Sequence, residues 1–420
     1  MFVSLQNRDF RWLWSGSLAS SFAMNMQIVA RGWLVYDLTG SAVDLAWVTM
    51  SFTIPQVLFS LWGGVVADRL SKRHVISVAQ GLNFVATIVL GTIIITENVS
   101  FWDFIWFGVF NGTVLALSMP ARQAYPPELV GEQLIFNAMA LNTAGWNLSR
   151  ILGPTLAGIL IAVAAQGDTS SSFGVGIVYY MIAALYLVSV FSVLMVKRPG
   201  VIHSPTSGQS PLGDIVEGLR YVKANAPVLG LILLSLMPFL FGMPINTLLP
   251  AFNHDVLAGG PDDLGFLLGA MGVGAIVGSL MMARMGGIGR KGSWLVATCV
   301  MWGVLMGVFA VSATLAVSAA VIAAIGWLSA WNMSLNRGLL STIVSPEMRG
   351  RIMSIDMMSH GLMPLGILPI SFIAEAASVP AALTTAGVIF VVVVLLMTRL
   401  ASVRQIDHAE ARRAESAVLG

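Results

Sequence analysis

Charge is what this chain has least of. Only 10% of its 420 residues are Asp, Glu, Lys or Arg, where a soluble domain carries about 25%. A chain that is 57% hydrophobic, with a mean hydropathy of +0.84, cannot cover a water-facing surface. Its solvent is therefore a lipid bilayer. Cysteine is almost missing: Cys299 stands alone, which excludes an internal disulfide and a cysteine metal site. No phosphate-binding loop of the form Gly-x-x-x-x-Gly-Lys-Ser/Thr occurs, so no nucleotide-driven step is encoded. Of five histidines, only His360 lies well inside a long apolar run. An intramembrane enzyme needs a Ser–His pair or paired metal-ligating carboxylates in such runs, and the sequence offers neither. No metal, cofactor or nucleic-acid partner is expected. The N-terminus is short and polar, and the first apolar run lacks a small-residue cleavage site, so it reads as a retained span.

Long apolar runs are abundant instead. They fall near residues 10–36, 43–67, 74–96, 101–120, 134–164, 174–196, 227–252, 263–285, 292–312, 315–341, 348–375 and 380–402. Each is long enough to span a bilayer, which predicts an all-α membrane protein of twelve spans. The charges test the count. One set of loops holds Arg8 and Arg11, then Arg69, Lys72 and Arg73, then Arg122, and so on to Arg412 and Arg413. The alternate loops hold Asp37, Asp44, Glu97, Asp103, Asp168, His254, Asp255, Asp262 and Asp263, and no Lys or Arg. Of 22 Lys and Arg residues, only Arg31 and Arg150 fall outside the first set. By the positive-inside rule both termini are expected on the cytoplasmic side.

The chain divides in two. The longest interior break, Lys197 to Pro211, is rich in Pro, Gly and Ser. It predicts six-helix halves at 1–196 and 226–403, a linker at 197–225 and a tail at 404–420. Within the linker, Ile215, Val216, Leu219 and Val222 share one helical face, as in a helix lying on the membrane surface. The halves align at a constant offset of 214: Gly64 falls on Gly278, Val130 on Val344 and Met139 on Met353. Parallel six-span repeats suit a central cavity opening alternately to each side. A non-transporting receptor would not require the duplication.

The loop after the second run is the most specific motif. Gly63 and Gly64 sit near the end of that run, where a missing side chain lets another helix approach closely. Asp68 closes the helix at its C-terminus, the wrong end of the dipole for a carboxylate. It becomes favourable facing another helix's N-terminus. Ser345-Pro346-Glu347 reads as such a start, with Ser at the N-cap and Pro at the first helical position. Asp68 is therefore expected to latch the second span to the start of the eleventh, with Arg122 as a nearby cation. A solvated turn is the plainer alternative. The echo at Gly278, Arg284, Arg290 and Lys291 carries Met282 where the first copy has Asp68.

Gly64-x-x-x-Asp68-Arg69-x-x-Lys72-Arg73 resembles the loop signature of the major facilitator superfamily. The resemblance covers the whole chain through span count, half repeat and linker, and it implies a cytoplasmic gate at Gly64, Asp68, Arg69, Lys72 and Arg73. Gly145, Gly153, Pro154 and Gly158 resemble the glycine–proline signature in the fifth span of the superfamily's antiporters, where Pro154 frees the Arg150 carbonyl and should bend the helix. Asn7-Arg8-Asp9-Phe10-Arg11, Arg31-Gly-Trp-Leu-Val-Tyr, Pro120-Ala-Arg-Gln123 and Ser149-Arg150-Ile-Leu-Gly-Pro154 look like the bacterial branch that holds enterobactin exporters and macrolide efflux proteins. This implies a small-molecule exporter of the bacterial inner membrane, with protons as coupling ion and a monomeric state. Uptake by symport in the same fold is the alternative. One departure matters: Gly108 stands where drug–proton antiporters often carry an Arg, so that residue's coupling role cannot be transferred.

Charges inside the spans single out further positions. Burying Arg150 costs about 3 kcal/mol or more, and a guanidinium cannot deprotonate. Thr143, Asn147, Arg150 and Pro154 share a face. Arg31 reads equally as an interfacial residue near Asp37 or Asp44 and as a cavity residue. With Arg150, and Arg31 in the second case, a cavity of surplus positive charge suits an anionic substrate. Trp146, Asn246, Trp327, Trp331, Asn332 and Asn336 are candidate lining residues, each also explained by packing. Asp356 and His360 lie four apart and can share a face as a proton site, or form a plain polar pair.

Overall fold

The computed structural model describes residues 3–131, 134–165, 172–200, 211–284 and 289–409. Among them there are helices and no strands. In chain order these are α1 (Arg8–Thr39), α2 (Ala42–Leu58), α3 (Ser60–Arg69), α4 (Lys72–Ile95), α5 (Phe101–Leu129), α6 (Ile135–Ala164), α7 (Ser172–Leu194) and α8 (Pro211–Ala224). After α9 (Ala226–Met237) a π-helical turn, Pro238–Gly242, leads into α10 (Pro244–Asp255). Then follow α11 (Pro261–Arg284), α12 (Lys291–Ala310), α13 (Leu315–Ile343), α14 (Pro346–Met358), α15 (Met363–Ala376) and α16 (Val379–Met397).

The boundaries follow local chemistry. Asn7 accepts from the Asp9 and Phe10 amides to start α1, which ends at Gly40 in the left-handed region, φ 60°. Ser41 caps α2 and Ser71 caps α4. At the start of α5, the Asp103 carboxylate accepts from the amide and hydroxyl of Ser100 at 2.8 and 2.7 Å, holding the residue before the helix.

Nine described helices, counting α9–α10 as one, are long and apolar enough to cross a membrane. The other three expected spans lie on α1, on the pair Ala42–Leu58 and Trp62–Arg69, bent by 57°, and on α14–α15. Proline explains the breaks. Pro55 precedes the bend in the second span. Pro364 sits in the first turn of α15, and it restarts a helix rather than continuing one. The expected single span 348–375 is thus two helices joined by the 3-10 turn Ser359–Leu362. The fourth span, expected at 101–120, shows the reverse: α5 carries Pro120, Pro126 and Pro127 and runs to Leu129. Large apolar side chains face outward, with Trp106 68% and Leu365 66% exposed, as lipid-facing surfaces require.

Contacts sort the chain into two units, 1–206 with 253–269, and 207–252 with 270–420. In the first, α7 packs against α4 and α1, α6 against α1, and α5 against α2. At the end where Lys and Arg gather, hereafter the basic end, Phe10, Leu13, Ile76, Tyr125, Leu129 and Val193 form a buried cluster. In the second unit α12 packs against α16 and α13, with Gly303 and Gly387 each facing the other's carbonyl. The expected surface helix is α8. It rests on α14 through Gly218 beside Ile355 and through Glu217–Arg351 at 3.0 Å. Val222 is buried, while Val216 and Leu219 are exposed; the side chain of Ile215 lies outside the described residues.

Candidate functional site

At the basic end of the first unit the gate motif is divided between structural and exposed parts. Gly63, not Gly64, makes the close approach: a methyl group there would strike the Ala116 carbonyl and the Pro120 ring, whereas one at Gly64 would meet open space. Pro120 has no N–H, so it leaves the Ala116 carbonyl without its helical donor. Gly63 settles on that freed oxygen. Lys72 is 2% exposed and pairs with Glu128 at 2.8 Å. Arg73 donates to the Leu194 carbonyl at 2.7 Å. Asp9 accepts from the Lys197 and Arg198 amides at 3.2 and 3.1 Å, and Tyr125 donates to the Arg198 carbonyl. Arg122 reaches Ser20 on α1 at 3.2 Å. Asp68 and Arg69 are exposed at the end of α3, and Asp68 makes no hydrogen bond or ion pair among the described residues. In the second unit α14 begins at Pro346, and the Ser345 amide lies 3.5 Å from the Tyr221 hydroxyl. The side chain of Pro346 lies outside the described residues.

The glycine–proline stretch of α6 makes two close contacts. Gly145 and Gly153 lie against α1, at Leu18 and at Asn25, and Ser149 between them accepts from Asn25 at 3.3 Å. One turn further on, Gly158 lies against Pro261 and Asp262, and Gly265 against the Pro154 carbonyl. Thr155 donates to the Gly265 carbonyl at 3.2 Å. α6 runs unbroken through Pro154. Trp146 and Arg150 are exposed and Asn147 is half-buried.

The first unit also holds buried polar side chains that no sequence motif marks. Buried Gln27 on α1, Gln80 and Thr87 on α4, and Tyr179 and Ser189 on α7 each keep a polar atom without a protein partner. Asn111 donates to Asn83 at 3.3 Å. Arg31 lies 5.9 Å from the Phe52 ring centre with Tyr179 as its titratable neighbour; Tyr186 plays that part for Arg122. Among the described residues no carboxylate pairs with Arg31, Arg122 or Arg150. Single polar residues spaced along apolar helices give little periodic signal, and of Asn111, Gln27 and Arg31 only Arg31 stands out by its charge.

In the second unit the candidates are packed and hydrogen-bonded. Trp331 donates to the Gly278 carbonyl at 2.9 Å, and Trp327 lies 5.1 Å from it, ring centre to ring centre. Asn332 donates to Thr298 and Cys299 at 3.2 and 3.0 Å, and Asn246 to Met243 at 3.3 Å. Buried Asn336 donates to buried Asp356 at 3.1 Å. The helical register expected for Asp356 and His360 is broken, because α14 ends at Met358 and His360 lies in the 3-10 turn; the His360 side chain lies outside the described residues. The carboxylate missing at Met282 has a counterpart elsewhere: Asp407 takes the Gly292 and Ser293 amides at 2.8 and 3.2 Å, at the start of α12, where an anion is favoured.

Comparison with known proteins agrees with this architecture. The chain is 25% identical over 405 residues to the multidrug efflux pump Tap of Mycolicibacterium fortuitum, covering 94% of this chain and 96% of that one. It is 25% identical to the staphyloferrin A transporter of Staphylococcus aureus, covering 83% and 85%. It is 26% identical to the enterobactin exporter EntS of Shigella boydii, covering 69% and 67%. Among solved structures, a bacterial homologue of the human lysosomal transporter Spinster superposes with a TM-score of 0.75 at 14% identity, covering 96% and 97%. A D-xylose–proton symporter gives 0.68 at 13%, covering 92% and 96%. A family model described as transmembrane secretion effector matches residues 1–417, and the chain is a multi-pass membrane transporter of that family, within the major facilitator superfamily.

Proposed function

We propose that this transporter exports a small anionic, siderophore-like molecule from the bacterial cytoplasm by alternating access, driven by inward movement of protons. One observation carries the substrate class: Arg31, Arg122 and Arg150 stand in membrane-spanning helices of the first unit without a carboxylate partner among the described residues. A guanidinium held at membrane depth without counter-charge is costly even when part of it is exposed. A carboxylate or catecholate on the substrate supplies that charge. The outward direction is supported by the antiporter-like stretch of α6 and by similarity to an exporter and an efflux pump. Inner-membrane placement with both termini cytoplasmic is supported by the loop charges. The Asp68 latch onto the Ser345-Pro346 helix start belongs to the same proposal. It is supported by the exposed Asp68 carboxylate, which has no partner among the described residues, and by a helix that begins at Pro346.

A drug-like apolar substrate is the second reading, favoured by similarity to the pump Tap. Proteoliposome transport with an imposed pH gradient separates the two. Catecholate and polycarboxylate siderophores are expected to move in a gradient-dependent way, and Arg31→Gln with Arg122→Gln to slow them. Movement of macrolides or cationic dyes alone would overturn the anionic reading; no gradient dependence for any solute would overturn antiport.

A further inference from the structure

At the opposite end from the gate loop, where the connecting segments carry only acids and histidine, three side chains meet. Tyr36 in the last turns of α1 donates to Asp255 at 2.5 Å. Asp255 also contacts His254 Nδ1 at 2.9 Å. The His254 ring lies beside two aromatic rings of α1, 6.1 Å from Trp33 and 5.5 Å from Tyr36 in a T-shaped contact. The imidazole is 50% and the carboxylate 43% exposed, so both are open to water. The segment is well fixed: Asn253 donates to the Gly260 carbonyl at 2.8 Å and accepts from the Gly259 amide at 2.9 Å. α1 and the 253–255 segment, more than two hundred residues apart in sequence, are thus joined through one titratable cluster.

We infer that His254 and Asp255 form a proton-binding site that clasps the end of α1, so that proton uptake at this face tightens the packing of the 253–269 segment on α1. Imidazole is the side chain whose ordinary charge change falls between about pH 5 and 8. A neutral His254 leaves Tyr36–Asp255 as the main link. A protonated His254 pairs with the Asp255 carboxylate and presents a cation to the Trp33 and Tyr36 rings, whose faces attract cations. Other described acids at this end lie on three helices. Asp37 lies in the last turn of α1, Asp44 in the first turn of α2, and Asp262 and Asp263 in the first turn of α11. The nearest cation along α1, Arg31, is turned to Phe52. The sign follows. The added contacts belong to the protonated ring, so clasping is expected to grow as pH falls and to shrink as pH rises.

The site rests on the transporter reading but on no particular substrate, so it is tested without one. Spin labels at Leu38→Cys and Phe266→Cys, exposed positions on α1 and α11, report the separation in lipid nanodiscs; Cys299 is fully buried. Between pH 8 and pH 5.5 the short-distance population is expected to rise about threefold. His254→Gln should flatten this response with folding intact, since the ring is half exposed. Asp255→Asn and Tyr36→Phe should lower the short-distance population at every pH. An unchanged pH response in His254→Gln, or a pH-independent distance in the parent, overturns the inference. Absence of gradient-driven transport would count against antiport while leaving this result standing.

Discussion

Gly63 rests on the carbonyl oxygen of Ala116, the one that Pro120 leaves without a helical donor. The pairing solves two problems with one contact. α3 and α5 reach close approach because Gly63 has no side chain. The freed carbonyl meets a backbone Cα–H instead of lipid. Gly63→Ala is expected to lower stability by about 1–3 kcal/mol through overpacking. Gly64→Ala, with open space at its Cβ, should be nearly neutral for stability. Thermal unfolding in detergent of the two variants side by side checks this, and equal losses would refute the assignment.

Lys72 and Glu128 make the second test. Lys72 is almost fully buried and its ammonium lies 2.8 Å from the carboxylate. Removing one partner leaves the other as a buried charge, which costs about 3–5 kcal/mol, whereas replacing both by apolar groups is often neutral. Glu128→Gln and Lys72→Met are each expected to destabilise strongly. The double variant Lys72→Met with Glu128→Leu should recover most of the loss. A double-mutant cycle on unfolding midpoints measures the coupling; additive losses would mean that the pair contributes nothing as a pair.

Much of this fold is legible in the sequence, because membrane spans are written in long apolar runs and in loop charge. The repeat is legible to the residue in one place. α5 and α13 span Phe101–Leu129 and Leu315–Ile343, 214 positions apart at both ends (315 − 101 and 343 − 129), and a hydroxyl residue, Ser100 or Thr314, precedes each. Prolines were harder to read. Pro120 sits inside a helix that uses its free carbonyl, whereas Pro364 restarts one, and the residue type alone does not say which. Side-chain pairings were least legible. Lys72 finds Glu128, and Tyr36 finds Asp255, only because the folded chain brings distant segments together. No local period marks such partners.

The α6 contact with the start of α11 gives a third expectation. Gly158 lies against the backbone of Pro261 and Asp262, so any side chain at 158 pushes on atoms that cannot rotate away. Gly158→Ala should cost about 1–3 kcal/mol and Gly158→Leu more. Gly131→Ala, where a methyl group meets nothing, is the matched control. If α6–α11 packing belongs to the transport cycle, Gly158→Ala should also reduce turnover at equal expression, measured as initial export rate in vesicles.

Asp356 is the one described acid that lies buried in the second unit's spans, and its described donor is Asn336 at 3.1 Å. A buried carboxylate deprived of a donor loses about 1–3 kcal/mol. Asn336→Leu should therefore destabilise the protein, while Asp356→Asn keeps the shape and removes the titratable group. The second change separates structure from coupling. A proton site at Asp356 predicts that Asp356→Asn still exchanges substrate across the membrane at equilibrium but no longer accelerates when a pH gradient is imposed. A purely structural acid predicts the opposite pattern, in which exchange and gradient response fall together with the amount of folded protein. Exchange and gradient-driven transport in the same proteoliposomes decide between them.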